Sequence, residues 1–137
     1  MADPSRAVLA ADLFHQTIPL GDGSIDVVTA HQFLEHVPRV ALLEGTTRLP
    51  FIELMNDIHR VLIPAGLLFS ATPAFPFPAA LQDPTHVNII TEETFPRYFC
   101  QQTDSGPWAR RYGFQGKFDL VGQAWCGWTL LTLMRKI

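Results

Sequence analysis

The sequence has few charged residues, and its positive charges are not gathered in one place. Charged residues make up 17% of the 137 residues, and the formal net charge is -3. Arg110-Arg111 stands as a lone pair rather than as part of a basic cluster. Proteins that bind nucleic acids need many cations to neutralise phosphates. We therefore expect no nucleic-acid partner.

Long apolar runs and cysteine motifs are also lacking. The longest apolar candidate, residues 125–134, contains Gly127 and is half as long as the roughly 20 residues of a membrane-spanning helix. The polar N-terminus does not resemble a signal peptide. Cys100 and Cys126 form no CxxC motif and are expected to be free thiols. These absences favour a cytoplasmic protein with no membrane partner.

The apolar content, 47% of the chain, is sufficient for a buried core. Residues 50–62 predict a helix, because a proline suits its first turn and apolar residues recur every three or four positions. Pro64 and Gly66 should end that helix. Residues 91–100 predict a second helix with a threonine capping pattern. Apolar runs predict strands at residues 7–13, 25–30, 67–71, 118–125 and 128–134.

This order of elements is typical of an α/β fold that ends in an antiparallel pair of strands. A zinc-binding helix is not supported, because His31 and His36 are five residues apart, whereas an HExxH motif places its histidines four apart. No metal site is expected on that basis. Gly21-Asp22-Gly23 leads into a strand and not a helix, so it predicts a turn rather than a phosphate-binding loop.

Three segments, in the expected order, resemble the class I S-adenosylmethionine (SAM)-dependent methyltransferases, and in particular the type 11 methyltransferases. The first includes Ala11-Asp12, Ile18-Pro19-Leu20 and residues 22–28, and is similar to the family's "D…LPF.D.SFD.V" stretch. The second, residues 33–37, has the sequence FLEHV and resembles the "LEH" that follows. The third, residues 58–66, has the sequence IHRVLIPAG and is similar to "RVLKPGG".

The resemblance implies a Rossmann-like sheet, whose order in the family is 3-2-1-4-5-7-6. Only strands 4-5-7-6 with flanking helices, and a remnant of strand 3 at residues 8–13, are expected here. Residues 1–137 are interpreted as one partial methyltransferase domain that lacks the glycine-rich N-terminal half. The strand at residues 26–30 would then be an open edge, and open edges pair with other strands. We expect a homodimer or a complementing polypeptide at this edge.

The resemblance also implies the cofactor, SAM, and the residues that bind it. Asp12 lies where the family has an acid that accepts a hydrogen bond from the adenine amine, and the backbone N–H of Leu13 would face the ring. Ala30 lies where the family places residues beside the methionine part of SAM. The alternative for Asp12 is a carboxylate that only caps a turn.

His86 and His31 are the candidate catalytic residues. His86 belongs to the unusual polar stretch Asp83-Pro84-Thr85-His86-Val87-Asn88, which resembles a DPxH stretch of methyltransferases acting in sugar and surface-glycan pathways. An imidazole titrates near neutral pH and can take the proton of a hydroxyl. Alternatively, Asp83 and His86 only hold the loop in place, and His31 is a loop histidine without chemistry.

The predicted function is SAM-dependent methyl transfer to a small molecule, by analogy a hydroxyl of a sugar or glycan precursor. Because the glycine loop is missing from this sequence, we expect the chain to be inactive or incomplete alone. Two alternatives remain. One is a non-enzymatic interaction module derived from a methyltransferase, and the other is an unrelated small α/β hydrolase or binding protein.

Overall fold

The computed structural model describes residues 7–100 and 104–137. Short 3-10 turns lie at Leu34–His36, Pro78–Ala80 and Trp108–Tyr112. The strands and helices, in chain order, are β1 (Ile25–His31), β2 (Ala41–Leu43), β3 (Thr46–Arg48), α1 (Pro50–Val61), β4 (Leu62–Pro73), α2 (Thr94–Phe99), β5 (Phe118–Cys126) and β6 (Thr129–Lys136).

The main sheet has four strands in the order β1-β4-β6-β5. β1 and β4 are parallel, with Val28 opposite Leu68 and His31 opposite Ala71. β6 is antiparallel to both β4 and β5, and a tight turn at Gly127 joins β5 to β6. This arrangement confirms the predicted 4-5-7-6 order and the closing antiparallel pair.

The predicted strand at residues 7–13 is wrong. Residues 7–12 have no regular secondary structure, and a turn begins at Leu13. Val8 is 93% exposed, so the apolar run is not buried. A strand needs a neighbour that accepts and donates its backbone hydrogen bonds, and none of the described residues provides one here.

The predicted boundaries of three other elements needed correction. α1 begins at Pro50 as expected, but β4 begins at Leu62 and so includes Pro64 and Gly66. A shift in the β1–β4 register between Ile25 and Val27 accommodates this extra length. α2 covers only Thr94–Phe99, and its N-cap is Glu93, which makes no side-chain capping hydrogen bond, so the predicted threonine cap is wrong. The backbone N–H of Thr91 does donate to Thr94 Oγ1 at 2.9 Å, in the turn that precedes the helix.

Residues 39–49 gave no clear sequence signal, and they contain the small hairpin of β2 and β3. Its two-residue turn is Glu44-Gly45, where Gly45 has a φ of 69°. This conformation favours glycine, so the Glu44-Gly45 pair is the sequence feature from which the turn could have been predicted.

The core lies between α1 and one face of the sheet. Met55 and Ile58 of α1 are buried against Leu68 of β4 and Met134 of β6. A chain of ring contacts continues this core through Phe51, Phe95, Phe99, Phe114 and Phe118. The described residues contain no helix long and apolar enough to cross a membrane.

The side chain of His59, in α1, packs against the aromatic part of this core. Its ring packs edge-on against Phe118 at 5.2 Å, and its Nε2 lies 3.2 Å from the Lys117 carbonyl oxygen. Burial lowers the pKa of His59, and the nearby Lys136 ammonium lowers it further.

β1 forms one edge of the sheet and is only half covered. Its side chains alternate, so that Ala30 is buried in the core while Thr29 and His31 are exposed. Val27 is 48% exposed on the same side as these two. The expectation of an open edge with apolar character is therefore met among the described residues.

Arg60, near the end of α1, holds the segment before β1 in place. Its guanidinium donates to Asp57 Oδ1 at 2.6 Å, to Asp22 Oδ1 at 2.8 Å, and to the carbonyl oxygens of Leu20 and Ile18. Asp57 is buried and also accepts from the backbone N–H of Ile18. The arginine of the IHRVLIPAG motif thus joins that motif to the IPLGDG segment.

Arg60→Ala should lower the free energy of unfolding by about 2 kcal/mol, because the buried Asp57 carboxylate then loses its cation. Urea denaturation followed by circular dichroism measures this loss. Arg97→Ala is the matched control, since Arg97 pairs with Glu93 where both side chains are about half exposed, and its loss should be smaller. Equal losses in the two variants would contradict this role for Arg60.

Candidate functional site

The candidate site forms where the loops that follow β1 and β4 meet. β1 and β4 are parallel neighbours, so their carboxyl ends lie side by side at the same edge of the sheet. The FLEHV segment follows β1, and the polar stretch 83–88 follows β4. The backbone N–H groups of Val87 and Asn88 both donate to the Glu35 carbonyl oxygen, each at 3.0 Å. Two motifs about 50 residues apart in sequence are thereby brought into direct contact.

Asn88 is the side chain that joins the two loops. It is 1% exposed, and its amide donates to the Leu34 carbonyl oxygen at 3.0 Å. Its Oδ1 accepts from Arg39 Nε at 2.6 Å, and Arg39 also donates to the carbonyl oxygen of Ile89. Both polar atoms of the buried Asn88 amide therefore have a hydrogen-bond partner, and these bonds hold the two loops together.

Glu35, His36 and His86 form a compact cluster within this junction. One potential ligand atom from each side chain lies within 4.8 Å of the others, so the group could hold a metal ion. Glu35 Oε1 lies 3.9 Å from His36 Nε2. The two imidazole rings meet edge to face, with 4.8 Å between their centroids.

Glu35 is a buried acid, with 1% of its surface exposed. Its Oε2 accepts from Thr72 Oγ1 of β4 at 2.8 Å, whereas its Oε1 has no hydrogen-bond partner among the described residues. A buried carboxylate oxygen without a partner costs free energy. The sequence reading noted the LEH motif but gave Glu35 no role, although an acid in an otherwise apolar turn was a usable signal.

Asp83 lies at the rim of the cluster. Its Oδ1 accepts from the hydroxyl and the backbone N–H of Thr85, at 2.7 and 2.8 Å. These two hydrogen bonds lower the pKa of Asp83, and the neighbouring histidines add to the effect. Asp83 Oδ2 lies 3.8 Å from His86 Nε2. Asp83 therefore places a negative charge beside the cluster.

The two predicted catalytic histidines occupy different surroundings. The side chain of His86 is only 8% exposed, and its Nδ1 lies 3.2 Å from the Ala80 carbonyl oxygen. His31 is exposed at the end of β1, with its ring 5.5 Å from that of Phe69. His36, and not His31, is the histidine in contact with His86. A catalytic role for either predicted residue stays a prediction.

The predicted cofactor residues lie on two different segments. Ala30 is buried near the end of β1. Asp12 is exposed, and its Oδ1 accepts from the Phe14 backbone N–H at 3.0 Å, which is the turn-capping alternative stated above. Asp12 Oδ2 and the backbone N–H of Leu13 make no hydrogen bond within the described residues, so capping leaves both groups available to a ligand.

A groove of about 540 Å³ adjoins the site through Arg39 and Ile89. This volume is in the usual range for small-molecule sites. The groove runs between the start of α1 and α2, and apolar and aromatic side chains dominate its lining, among them Val40, Leu49, Phe51, Ile52, Tyr98, Phe99 and Tyr112.

Comparison with known proteins identifies a family and a likeness in fold to solved structures. The sequence model of a family described as "Methyltransferase domain" matches residues 2–70, half of the chain. A chain of the solved structure described as "Complex between the Haloferax volcanii Trm112 methyltransferase activator and the putative methyltransferase" is similar in fold, with a TM-score of 0.64 and 12% identity. The match covers 98% of this chain and 63% of that chain. No curated protein matches the sequence.

Asn88→Ala should loosen the junction between the two loops, because the Leu34 carbonyl oxygen and Arg39 each lose one of their two hydrogen-bond partners. We expect a loss of about 1–3 kcal/mol in unfolding free energy. Faster amide hydrogen exchange should accompany it at Val87 and in the Leu34–His36 turn. Gln82→Ala, in an exposed part of the same loop, is the control. Unchanged exchange in Asn88→Ala would rule out this role of the amide.

Proposed function

The chain belongs to the methyltransferase-domain family, and we propose that it supplies the acceptor side and the adenine contact of a SAM-dependent methyl-transfer site. The observation that carries the proposal is the meeting of the FLEHV and 83–88 loops at the carboxyl ends of β1 and β4. Substrates and cofactors of open α/β sheets bind at this edge. Polar, partly buried side chains are concentrated there.

The proposed reaction moves a methyl group from the SAM sulfonium to a hydroxyl oxygen. The carbon–sulfur bond breaks as the oxygen–carbon bond forms, and the hydroxyl proton must leave. His86 and His31 are the proposed proton acceptors, because a neutral imidazole can take a proton near neutral pH. His86 has the stronger support, since the Asp83 carboxylate beside its Nε2 would stabilise the imidazolium that forms.

The proposed acceptor is a small molecule with a free hydroxyl, such as a sugar or a glycan precursor. The groove beside Arg39 has room for such a molecule. Its aromatic lining, including Tyr98 and Tyr112, suits the flat apolar faces of a sugar ring, and Arg39 contributes a positive charge to the lining. This assignment rests on the position and chemistry of the groove and on family analogy.

The proposed cofactor contacts are Asp12, Leu13 and Ala30. Asp12 Oδ2 would accept from the adenine amine, and the Leu13 N–H would donate to a ring nitrogen. The sequence contains no glycine-rich loop placed between a strand and a helix, which is the element that approaches the rest of such a cofactor. We therefore propose that Asp12 and Leu13 bind the adenine end of SAM weakly, with Ala30 beside its methionine part.

An NMR titration tests this cofactor assignment. Adenosine and SAM should both shift the amide signal of Leu13 with similar, millimolar dissociation constants, because the adenine end makes this contact in both. Only SAM should shift Ala30, which is proposed to lie beside the methionine part. Asp12→Asn should weaken binding by about tenfold, through the loss of a charged acceptor. Glu44→Gln, at the exposed turn between β2 and β3, should leave it unchanged.

The absence of any shift at millimolar ligand would argue against the adenine contact. Shifts by SAM alone, with none by adenosine, would place the contact on the methionine part instead. The titration is carried out with a chelator present, so that its outcome does not depend on metal ions.

We also propose that the open edge at β1 is completed by another strand, from a longer chain, a second polypeptide or a second copy. Parallel sheets are normally covered on both faces, and an exposed strand edge can pair with a further strand. Val27, Thr29 and His31 are exposed along this strand. The structure with a similar fold comes from a complex with a methyltransferase activator, which makes a partner-dependent arrangement worth testing here.

Sedimentation velocity tests the open edge. The chain should self-associate at tens of micromolar, and Val27→Lys should weaken association by at least about tenfold, because it places a charge on the apolar contact. Leu42→Lys is the control, since Leu42 is 82% exposed but lies on β2, outside the main sheet. A compact monomer of the unmodified chain would contradict the self-association.

A non-enzymatic interaction module is the second candidate function, and the exposed β1 edge is the observation that favours it. The two candidates differ in ligand binding. Association through β1 without any shift by adenosine or SAM would favour the interaction module. Shifts at Leu13 and Ala30 would favour the methyl-transfer site.

A further inference from the structure

We propose that Glu35, His36 and His86 bind a divalent transition-metal ion, with Zn²⁺ and Mn²⁺ as the ions best suited to them. Two imidazoles and one carboxylate are a common ligand set for such ions. The binding itself does not depend on the proposed methyl transfer. Only the consequence for His86, which would then be a metal ligand and not a proton acceptor, rests on the proposed function.

The hydrogen bonds of both histidines engage Nδ1 and leave Nε2 of each ring free to bind an ion. His36 Nδ1 lies 3.1 Å from the Thr85 carbonyl oxygen, and His86 Nδ1 lies 3.2 Å from the Ala80 carbonyl oxygen. A carbonyl oxygen only accepts, so each Nδ1 carries the proton and donates. Each neutral ring then has a free lone pair on Nε2. Histidines that bind metals are held in this way by outer hydrogen bonds.

Glu35 supplies the negative charge. Its Oε2 is fixed by the Thr72 hydroxyl, and its Oε1, buried and without a hydrogen-bond partner, lies 3.9 Å from His36 Nε2. A cation between these atoms would satisfy the unpaired oxygen. The unpaired Glu35 oxygen and the hydrogen bonds of the two histidines are separate observations, and both indicate a bound cation.

The distances are close to those of a loaded site. Ligand atoms about 2.1 Å from a tetrahedral ion are separated by about 3.4 Å. The atoms of this cluster lie within 4.8 Å of one another, so small side-chain rotations suffice. Asp83 Oδ2, 3.8 Å from His86 Nε2, or a water molecule would occupy a fourth position. His36 is partly exposed, which leaves an entry path for the ion.

Isothermal titration calorimetry of the full chain, treated with a chelator and then desalted, tests the site with Zn²⁺ and Mn²⁺ as probes. The expected result is one ion per chain with micromolar or tighter affinity for Zn²⁺. His86→Asn removes Nε2, yet the asparagine amide can still donate to the Ala80 carbonyl oxygen. His86→Asn and Glu35→Gln should each weaken binding by at least about tenfold.

His31→Asn is the matched control, because His31 is exposed and outside the cluster, and it should leave Zn²⁺ affinity unchanged. His36→Asn, at a more exposed position, is a second variant should a change at a buried residue prevent folding, which circular dichroism checks. Absence of stoichiometric binding would overturn the proposal. So would Zn²⁺ binding that keeps its affinity in folded His86→Asn and His36→Asn.

Discussion

The parallel pairing of β1 with β4 is the constraint on which the rest of the molecule depends. It aligns the ends of the two strands, with His31 opposite Ala71. The loops that leave those ends must then pass close to each other, and the backbone of Glu35 receives two hydrogen bonds from residues 87 and 88. The Glu35 carboxylate, the two histidines beside it and the groove beside Arg39 are all arranged around that contact.

Burying a polar junction of this kind costs free energy in a small domain unless each buried polar group finds a hydrogen-bond partner. Asn88 finds its partners in Leu34 and Arg39, and Glu35 finds one in Thr72. Among the described residues, Glu35 Oε1 and the Ser70 hydroxyl oxygen are the buried side-chain atoms without a partner, and only the Glu35 oxygen belongs to a carboxylate. Buried unpaired polar atoms of this kind are concentrated at functional sites, where a ligand supplies the missing partner.

The two sides of the sheet differ in how completely the rest of the chain covers them. On one side, α1 and the phenylalanine cluster make a closed core, and Arg60 fastens the segment before β1 to the helix. On the other side, β1 has an open edge and exposed side chains. The proposed pairing of β1 with another strand would cover this open edge.

Local sequence patterns determined α1, the closing hairpin and the strands β1 and β4, because helical periodicity and short β-branched runs act over neighbouring residues. The motifs that resemble methyltransferases added the order of the sheet. Tertiary structure decided the rest. Residues 7–13 look like a strand but lack a partner to pair with, and His36 meets His86 because two loops far apart in sequence share one end of a sheet. Hydrogen-bond partners, burial and the tautomers of those rings exist only once the chain is folded.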